Sequence, residues 1–247
     1  MLTKADIKYI NSLQNKKYRK IEHAFLVEGL KNVLELINSD FQIERVFCTE
    51  AYQSEIKNSL NKRAVSVEIV SEKDLMQSGT LETNTTALAI ARTKKNINIA
   101  DIQNDRLIIA LDAVNDPGNL GTIIRIADWY GIKDIVCSLD TVDVYNPKVI
   151  NATKGSFARV NIHYVDLALF LNQNREIPIL AACMEGESIY KMAKKLPAIL
   201  LMGNEANGIS SALLACVTDK ISIPRVGGAE SLNVGVATGI IVDRLLN

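Results

Sequence analysis

The sequence predicts an α/β protein whose C-terminal part is a doubly wound parallel sheet. From Arg106 onward the strands read as continuous apolar runs: LIIAL, DIVCSL, PILAAC, AILLMG and KISIP. Runs without polar alternation are typical of strands that helices cover on both faces, and helical stretches separate these runs. Ligands of such folds bind at the carboxyl ends of the strands, so we expect the functional site in the loops that follow them.

The first 95 residues predict a smaller α/β unit. Predicted strands cover 24–27, 43–49, 65–70 and 86–92. Predicted helices cover 4–13 and 54–60, with Thr3 as the N-cap of the first, and 71–78, with Ser71 as a cap. A further helix between 30 and 37 places Leu30, Val33, Leu34 and Ile37 on one stripe. We therefore expect a domain over 1–95, a polar linker over 96–105 and a second domain over 106–247.

Composition excludes several classes of protein. The 247 residues are 48% hydrophobic and 23% charged, and no apolar run approaches the roughly 20 residues that span a bilayer. The N-terminus lacks the apolar core of a secretory signal, so we expect a cytoplasmic protein without membrane contact. The four cysteines form no C-x-x-C pair and there are two histidines, which argues against disulfides and a metal site.

The formal charge is zero, but one basic cluster stands out near the N-terminus. It consists of Lys16, Lys17, Arg19 and Lys20, with Tyr18 inside it. The cluster has two interpretations: it follows a phosphate backbone and stacks on a base, or it is a solvated basic loop.

Three Gly/Asn loops follow apolar runs and carry the candidate chemistry. In the first, Pro117 and Gly118 form a turn before a helix over 119–130, on which Arg125 either pairs with Asp128 or points at a ligand above the strand ends. The second loop, 202–208, places Glu205 directly after a strand, where it either holds a neighbouring loop or meets a substrate.

The third loop, 226–230, opens onto a helix that reaches the C-terminus, and we expect Ser231 as its N-cap. Asn233 stands two residues further on, so both side chains are able to bond a ligand at the helix start. No G-x-G-x-x-G or G-x-x-x-x-G-K-[ST] occurs, which disfavours a dinucleotide site and a P-loop.

These residues carry a resemblance to a known family. The segments NDPGNLGTIIRIADWYGI, ILLMGNEANGIS and ISIPRVGGAESLNVGVATG resemble, in order and spacing, the three motifs of the SpoU (TrmH-like) RNA ribose 2′-O-methyltransferases of the SPOUT class. Residues 1–95, with KYRKIEHAFLVEGLKNVLE, are similar to the L30e-like substrate-binding domain that precedes the catalytic domain in many members. The resemblance covers nearly the whole chain.

The resemblance implies a deep trefoil knot, bound S-adenosylmethionine, a homodimer and no metal. By motif match, the cofactor contacts are Gly203, Ile223 and Leu232. The catalytic and substrate-side positions are Asn119, Arg125, Glu205, Ser231 and Asn233. The final helix, with Val234, Ala237, Ile241 and Leu245 on one face, is expected at the dimer interface.

The implied reaction is methyl transfer to a ribose 2′-hydroxyl in structured RNA. The N-terminal domain favours ribosomal RNA over transfer RNA by analogy. The alternatives are a transfer RNA 2′-O-methyltransferase and a non-catalytic RNA-binding or ribosome-assembly factor that kept the fold. The second is disfavoured because a binding module has no need of the whole set of catalytic residues.

Overall fold

A computed structural model describes residues 2–60, 63–81, 83–94, 106–193 and 195–247. The chain divides into two compact units, one made of Met1–Lys95 with Asp143–Ala158 and the other of Asn96–Val142 with Arg159–Asn247. The linker expected over 96–105 lies outside the described residues. The segment 143–158 groups with the first unit, although the sequence places it in the second domain, because nothing in its composition marks where it packs.

The described helices and strands follow in chain order. The helices are α1 Lys4–Ser12, α2 Lys16–Glu22, α3 Leu30–Ile37, α4 Gln53–Leu60, α5 Glu72–Ser78, α6 Pro117–Trp129, α7 Pro147–Thr153, α8 Leu167–Gln173, α9 Ser211–Leu214 and α10 Val234–Leu246. The strands are β1 Ala24–Glu28, β2 Ile43–Cys48, β3 Ser66–Ile69, β4 Ala87–Arg92, β5 Leu107–Leu111, β6 Asp134–Ser138, β7 Asn161–Val165, β8 Ile179–Ser188, β9 Ala198–Met202 and β10 Asp219–Ser222.

The first unit is a mixed sheet, in the order β1-β4-β2-β3, with apolar clusters on both faces. Strand β4 shows why: Ala89 packs into one cluster, whereas its neighbours Leu88 and Ile90 pack into the other. Alternate side chains of a strand point to opposite faces, so β4 feeds both cores. The predicted elements of this unit are confirmed to within about two residues at their ends.

Local hydrogen bonds fix two of these helices as the sequence predicts. Thr3 Oγ1 accepts from Asp6 N at 3.1 Å while Thr3 N donates to Asp6 Oδ2 at 3.0 Å, which is a capping box. Ser71 and Asp74 form the same reciprocal pair at α5. Helix α2 was not predicted, because its lysine-rich sequence lacks apolar periodicity; Asn15 caps it by accepting from Lys17 N at 2.9 Å.

The second unit contains a parallel sheet in the order β10-β8-β9-β5-β6-β7. Every residue of the central strands β5 and β9 is buried, which confirms the interpretation of the continuous apolar runs. Strand β7 was missed, because it is an edge strand in which His163 and Tyr164 interrupt the apolar pattern. The deep knot that the resemblance implies stays a prediction.

Two helix starts differ from the expected positions. Helix α6 begins at Pro117 instead of residue 119, since proline suits the first turn and Asp116 Oδ1 accepts from Asn119 N at 2.8 Å. Helix α10 begins at Val234, and its N-cap is Asn233 instead of Ser231. Asn233 Oδ1 accepts from Gly235 N at 3.0 Å and from Val236 N at 3.2 Å.

Helices α6 and α10 pack on each other within the second unit. Tyr130 at the end of α6 donates a 2.8 Å hydrogen bond from its hydroxyl to Asp243 of α10, which lowers the pKa of that carboxyl. Val234, Ile241 and Leu245 are buried within the chain. Ala237, the fourth residue of the expected interface face, is half-buried, and the expectation that this helix takes part in a dimer interface stays a prediction. Within the described ranges, no helix combines the length and apolarity that crossing a bilayer requires.

Candidate active site

The three Gly/Asn loops meet through a chain of side-chain hydrogen bonds. Asn119, in the first turn of α6, donates from Nδ2 to Glu205 Oε1 at 2.8 Å. Asn233, at the start of α10, donates from Nδ2 to Asn119 Oδ1, also at 2.8 Å. The Asn233–Asn119–Glu205 chain thus joins one side chain from each loop, as the sequence led us to expect of the walls of a single site.

The loop that carries Glu205 is a tight turn closed by its own backbone. Asn204 and Gly208 exchange two N–H···O=C bonds of 2.9 Å, and Asn204 Oδ1 accepts from Ala206 N at 2.9 Å. Gly208 has φ +68°, a conformation that favours glycine. The turn leaves Glu205 exposed at its tip, with its carboxylate held by Asn119.

Gly203 is required by a close approach of the backbone. A Cβ atom at this position would overlap the carbonyl carbon of Gly208 and lie 2.5 Å from Ile209 N. Any larger side chain must therefore push the two ends of the turn apart. With glycine at this position, the backbone of Gly203 lies directly against that of Gly208 and Ile209. The backbone polar groups of Gly203 lie at the carboxyl end of β9, where a ligand of a doubly wound sheet binds.

Two residues that sequence reasoning missed anchor this turn to the end of β5. Asp112, which is buried, accepts from Ser210 N at 2.7 Å through Oδ2. Asn204 Nδ2 donates to Ala113 O at 2.7 Å, and Ala113 adopts φ +52°, which is unusual for alanine. The signal was present in the sequence, because LDAVNDPG places a carboxylate directly at a strand end.

Arg125 is exposed on α6, and no hydrogen bond or ion pair joins its guanidinium to a described residue. The interpretation of Arg125 as the partner of Asp128 is wrong, because Arg159 takes that carboxylate. Arg159 Nε lies 3.0 Å from both oxygens of Asp128 and Nη2 lies 2.9 Å from Oδ2. The Arg125 side chain is thus available to an anionic group of a ligand.

Residues 224–233, which contain the third loop, are all exposed. Their apolar side chains face solvent, with Val226 fully exposed and Leu232 half exposed, whereas Ile223 before them is half-buried. Arg225 Nη1 donates to Ala229 O at 3.0 Å, which closes a small turn inside the loop. An exposed loop with apolar side chains beside a helix start suits a ligand with both apolar and polar parts.

Ser231 lies in this exposed loop, and the Asn233–Asn119–Glu205 chain does not include it. The structure therefore joins three of the five expected catalytic residues by hydrogen bonds. The other two, Arg125 and Ser231, are exposed and lie within six residues of Asn119 and Asn233 in the sequence. Among the described residues, no three His, Cys, Asp or Glu side chains are grouped as a metal site requires.

Known proteins are similar to this chain in sequence and in fold. Residues 106–243 match the SpoU rRNA Methylase family, and residues 4–89 match the MRM3-like substrate binding domain. The chain belongs to the SpoU rRNA methylase family. This membership confirms the expected enzyme class, an RNA 2′-O-methyltransferase preceded by a small substrate-binding domain.

Three similar proteins span almost the whole chain. The 23S rRNA (guanosine(2553)-2′-O)-methyltransferase RlmP of Bacillus subtilis is 27% identical, over 97% of this chain and 95% of its own. A putative RNA methyltransferase of the TrmH family from Porphyromonas gingivalis is 33% identical, with a TM-score of 0.86 over 99% of this chain and 98% of its own. An AdoMet-bound rRNA methyltransferase from Sinorhizobium meliloti is 29% identical, with a TM-score of 0.89 over 99% and 95%.

Proposed function

We propose that this protein transfers the methyl group of S-adenosylmethionine to a ribose 2′-hydroxyl of 23S ribosomal RNA. The observation that carries the proposal is the Asn233–Asn119–Glu205 chain, which ties the three motif loops of this family into one rigid site. RlmP of Bacillus subtilis, which matches nearly the whole chain, is named for 23S ribosomal RNA, and this favours that substrate over transfer RNA. The reaction then takes place where ribosomes are assembled, in the cytoplasm.

The residues around the third loop suit the cofactor. The exposed apolar Leu232, the half-buried Ile223 and the backbone polar groups at Gly203 would hold the cofactor. When bound, S-adenosylmethionine supplies a methyl group on a positively charged sulfur. The protein's task is to place the 2′-oxygen in line with that methyl group, and positioning provides most of the acceleration in such reactions.

Arg125 is assigned to the 2′-oxygen and the adjacent phosphate. For the methyl carbon to pass from sulfur to the 2′-oxygen, that oxygen must lose its proton, and negative charge develops on it as the proton leaves. A guanidinium keeps its own proton in proteins, so Arg125 stabilises that charge as a donor and the substrate phosphate accepts the proton. Asn119 and Asn233 fix the sugar, Glu205 braces Asn119, and Ser231 orients the loop backbone.

Incubation with radiolabelled S-adenosylmethionine and unmodified ribosomal RNA tests the proposal. We expect one labelled nucleotide in 23S ribosomal RNA, resistant to alkaline cleavage because its 2′-oxygen is methylated. Label confined to transfer RNA would replace the proposed substrate with the alternative. Label in a base, or in no RNA, would overturn methyl transfer to ribose. Mapping of the labelled position then identifies the target nucleotide.

We also infer that the protein works as a homodimer. Trp129, at the end of α6, is 85% exposed, and Val236 of α10 is half exposed. Large exposed apolar side chains of this kind mark contact surfaces, and here they stand on the two helices that pack together. Trp129 is the protein's single tryptophan, so its fluorescence reports on this surface directly.

Light scattering at micromolar concentration should give twice the chain mass, and the tryptophan emission should shift to the red on dilution. Trp129→Lys should yield a folded monomer, and Leu139→Lys, at another exposed apolar residue, should stay dimeric as a control. A monomeric mass for the wild-type protein would contradict the dimer.

A further inference from the structure

Helix α2 presents a basic face that no described carboxylate neutralises. Lys16, Lys17 and Lys20 are exposed and form no ion pair with a described residue. Elsewhere in the same unit, Arg45 pairs with Asp6 and Glu68, Arg92 with Glu44 and Lys94 with Asp40. The lysines of α2 are therefore solvated cations, whereas these three cations of the same unit have acidic partners.

The order of residues in α2 is unfavourable for the isolated helix. Lys16 and Lys17 occupy its first turn, which has no acidic residue, although the N-terminus of a helix favours negative charge. Lys16 and Lys20 are four residues apart, a spacing at which like charges repel. By contrast, α1 and α5 carry acids in their first turns. A negatively charged partner would offset both costs in α2.

The buried side chain of Arg19 fixes helix α2 to the rest of the first unit. It is 3% exposed, and it donates to Asp143 Oδ2 from Nε at 3.0 Å and from Nη2 at 2.6 Å. Its Nη1 donates to the carbonyl oxygens of Leu13 at 3.0 Å and Gln14 at 2.8 Å. Arg19 is thus a structural anchor and not part of the exposed cluster that the sequence suggested.

Two apolar side chains lie on the same exposed face. Tyr18 is 43% exposed and Ile21 is 57% exposed, three residues apart on the helix. A helix that binds a membrane surface carries a longer apolar face than these two residues provide. An aromatic ring between lysines is instead the arrangement that binds unpaired nucleotides, with the ring stacked on a base and the ammonium groups on the phosphates.

We propose that the exposed face of α2, made of Lys16, Lys17, Tyr18, Lys20 and Ile21, binds an unpaired segment of the substrate RNA. This inference rests on the proposed function, since it takes the substrate to be RNA. The lysines contact phosphates and Tyr18 stacks on a base. Arg19 acts only through the position of the helix.

The test measures binding of in vitro transcribed, unmodified 23S ribosomal RNA over a series of salt concentrations. The triple variant K16Q/K17Q/K20Q should bind at least tenfold more weakly at 0.1 M salt, and the slope of log K against log salt should fall by about two to three. The control K4Q/K8Q/K73Q removes three exposed lysines from α1 and α5 of the same unit, and it should bind as the wild type does.

Two single variants test the stacking. Tyr18→Ala should weaken binding about five- to tenfold, whereas Tyr18→Phe keeps the ring and should not. In the methylation assay the triple variant should raise KM and leave kcat at saturating RNA unchanged, because no residue of this face touches the reacting atoms. Melting temperatures should not fall below that of the wild type, since all five side chains are exposed and the triple variant removes unfavourable charges from the helix.

The outcomes separate this inference from the proposed function. If the wild-type protein methylates ribosomal RNA and the triple variant binds it equally well, the inference fails and the function stands. An equal loss in both triple variants would also overturn it, because the effect would then be one of net charge. If the wild type binds RNA through this face but methylates a base, the inference stands and the function fails. A wild-type protein that binds no RNA overturns both.

Discussion

Asn119 and Glu205 are joined by a 2.8 Å hydrogen bond although they lie 86 positions apart in the chain. Asn119 has both ends of its amide engaged, since its oxygen accepts from Asn233 at the same distance. An amide held at both ends loses its rotational freedom before any substrate arrives. The site is therefore built in advance, as efficient transfer by positioning requires.

The first prediction is that Asn119 and Glu205 act as a unit. Asn119→Ala and Glu205→Gln should each lower kcat, and the double variant should lose less than the product of the two. We expect a coupling of about 1 kcal/mol, within the range for side chains in direct contact. Single-turnover methylation measures it. As a control, the effects of Asn119→Ala and Lys195→Ala on kcat should be additive, because the Lys195 ammonium is bound to Asp219 and not to Asn119. Additive effects in both double-mutant cycles would contradict the prediction that Asn119 and Glu205 act as a unit.

The second prediction is that Arg125→Ala abolishes methyl transfer while the cofactor still binds. Loss of a donor to developing negative charge costs about 100- to 1,000-fold in kcat. The melting temperature should not change, because the side chain is exposed and bonds to no described residue. Arg175→Ala, at another exposed arginine of the same unit, should keep full activity. Calorimetry measures cofactor binding. If Arg125→Ala no longer binds the cofactor, Arg125 contacts the cofactor and not the RNA, and the prediction is wrong.

The fold could be predicted from the sequence wherever burial dictates the residue pattern. Continuous apolar runs such as LIIAL and AILLMG are typical of strands that are buried on both faces, and they form β5 and β9. Strand β7 escaped because an edge strand with one solvated side tolerates polar residues. Helix α2 escaped because its sequence lacks apolar periodicity, and the hydrogen bond of its Arg19 to Asp143 joins residues 124 positions apart.

The sequence predicted which loops form the candidate site, but it did not predict the hydrogen bonds between their residues. A capping residue is set by backbone geometry, so the prediction of Ser231 was wrong by two residues, and the path of the chain places the cap at Asn233. The position of Asp112 directly after a strand was visible in the sequence, but its partner, the backbone N–H of Ser210, was not, because nearly every residue carries such a group. Such contacts between distant segments are the part that requires coordinates.

The third prediction separates the two caps. Asn233→Ala should lower the free energy of unfolding by about 1 kcal/mol, since the N–H groups of Gly235 and Val236 lose their acceptor. Ser231→Ala should change it by less than about 0.5 kcal/mol, as for other exposed positions. Urea denaturation measures both.

Asn233→Asp adds a control that separates stability from activity. It keeps the capping oxygen but loses the donor to Asn119, so it should preserve stability and lower kcat. A larger loss of stability in Ser231→Ala than in Asn233→Ala would return the cap to Ser231.

The fourth prediction concerns Gly203, whose Cβ would overlap the backbone of Gly208. Gly203→Ala should open the turn, weaken cofactor binding by at least tenfold and destabilise the protein by about 1–3 kcal/mol. Gly228→Ala is the control for stability, because a Cβ there meets nothing within 4 Å. Calorimetric titration with S-adenosylmethionine and thermal unfolding give the two readouts. Unchanged stability in Gly203→Ala would show that the turn opens without cost.

The last prediction is a pH dependence of stability that originates at Asp6. The Arg45 guanidinium, which donates to Asp6 Oδ1 at 2.6 Å, and then the Thr3 hydroxyl lower the pKa of Asp6 from 3.8 to about 2. Because the folded pKa lies below the unfolded one, the carboxylate stabilises the fold above about pH 4, and this contribution is lost as the pH falls towards 2. Asp6→Asn should therefore be less stable than the wild type at pH 6, and the difference should shrink between pH 4 and pH 2. Urea denaturation across this range, with the exposed Asp140→Asn as a control, measures it; a difference that stays constant with pH would mean that packing, and not charge, is what Asp6 contributes.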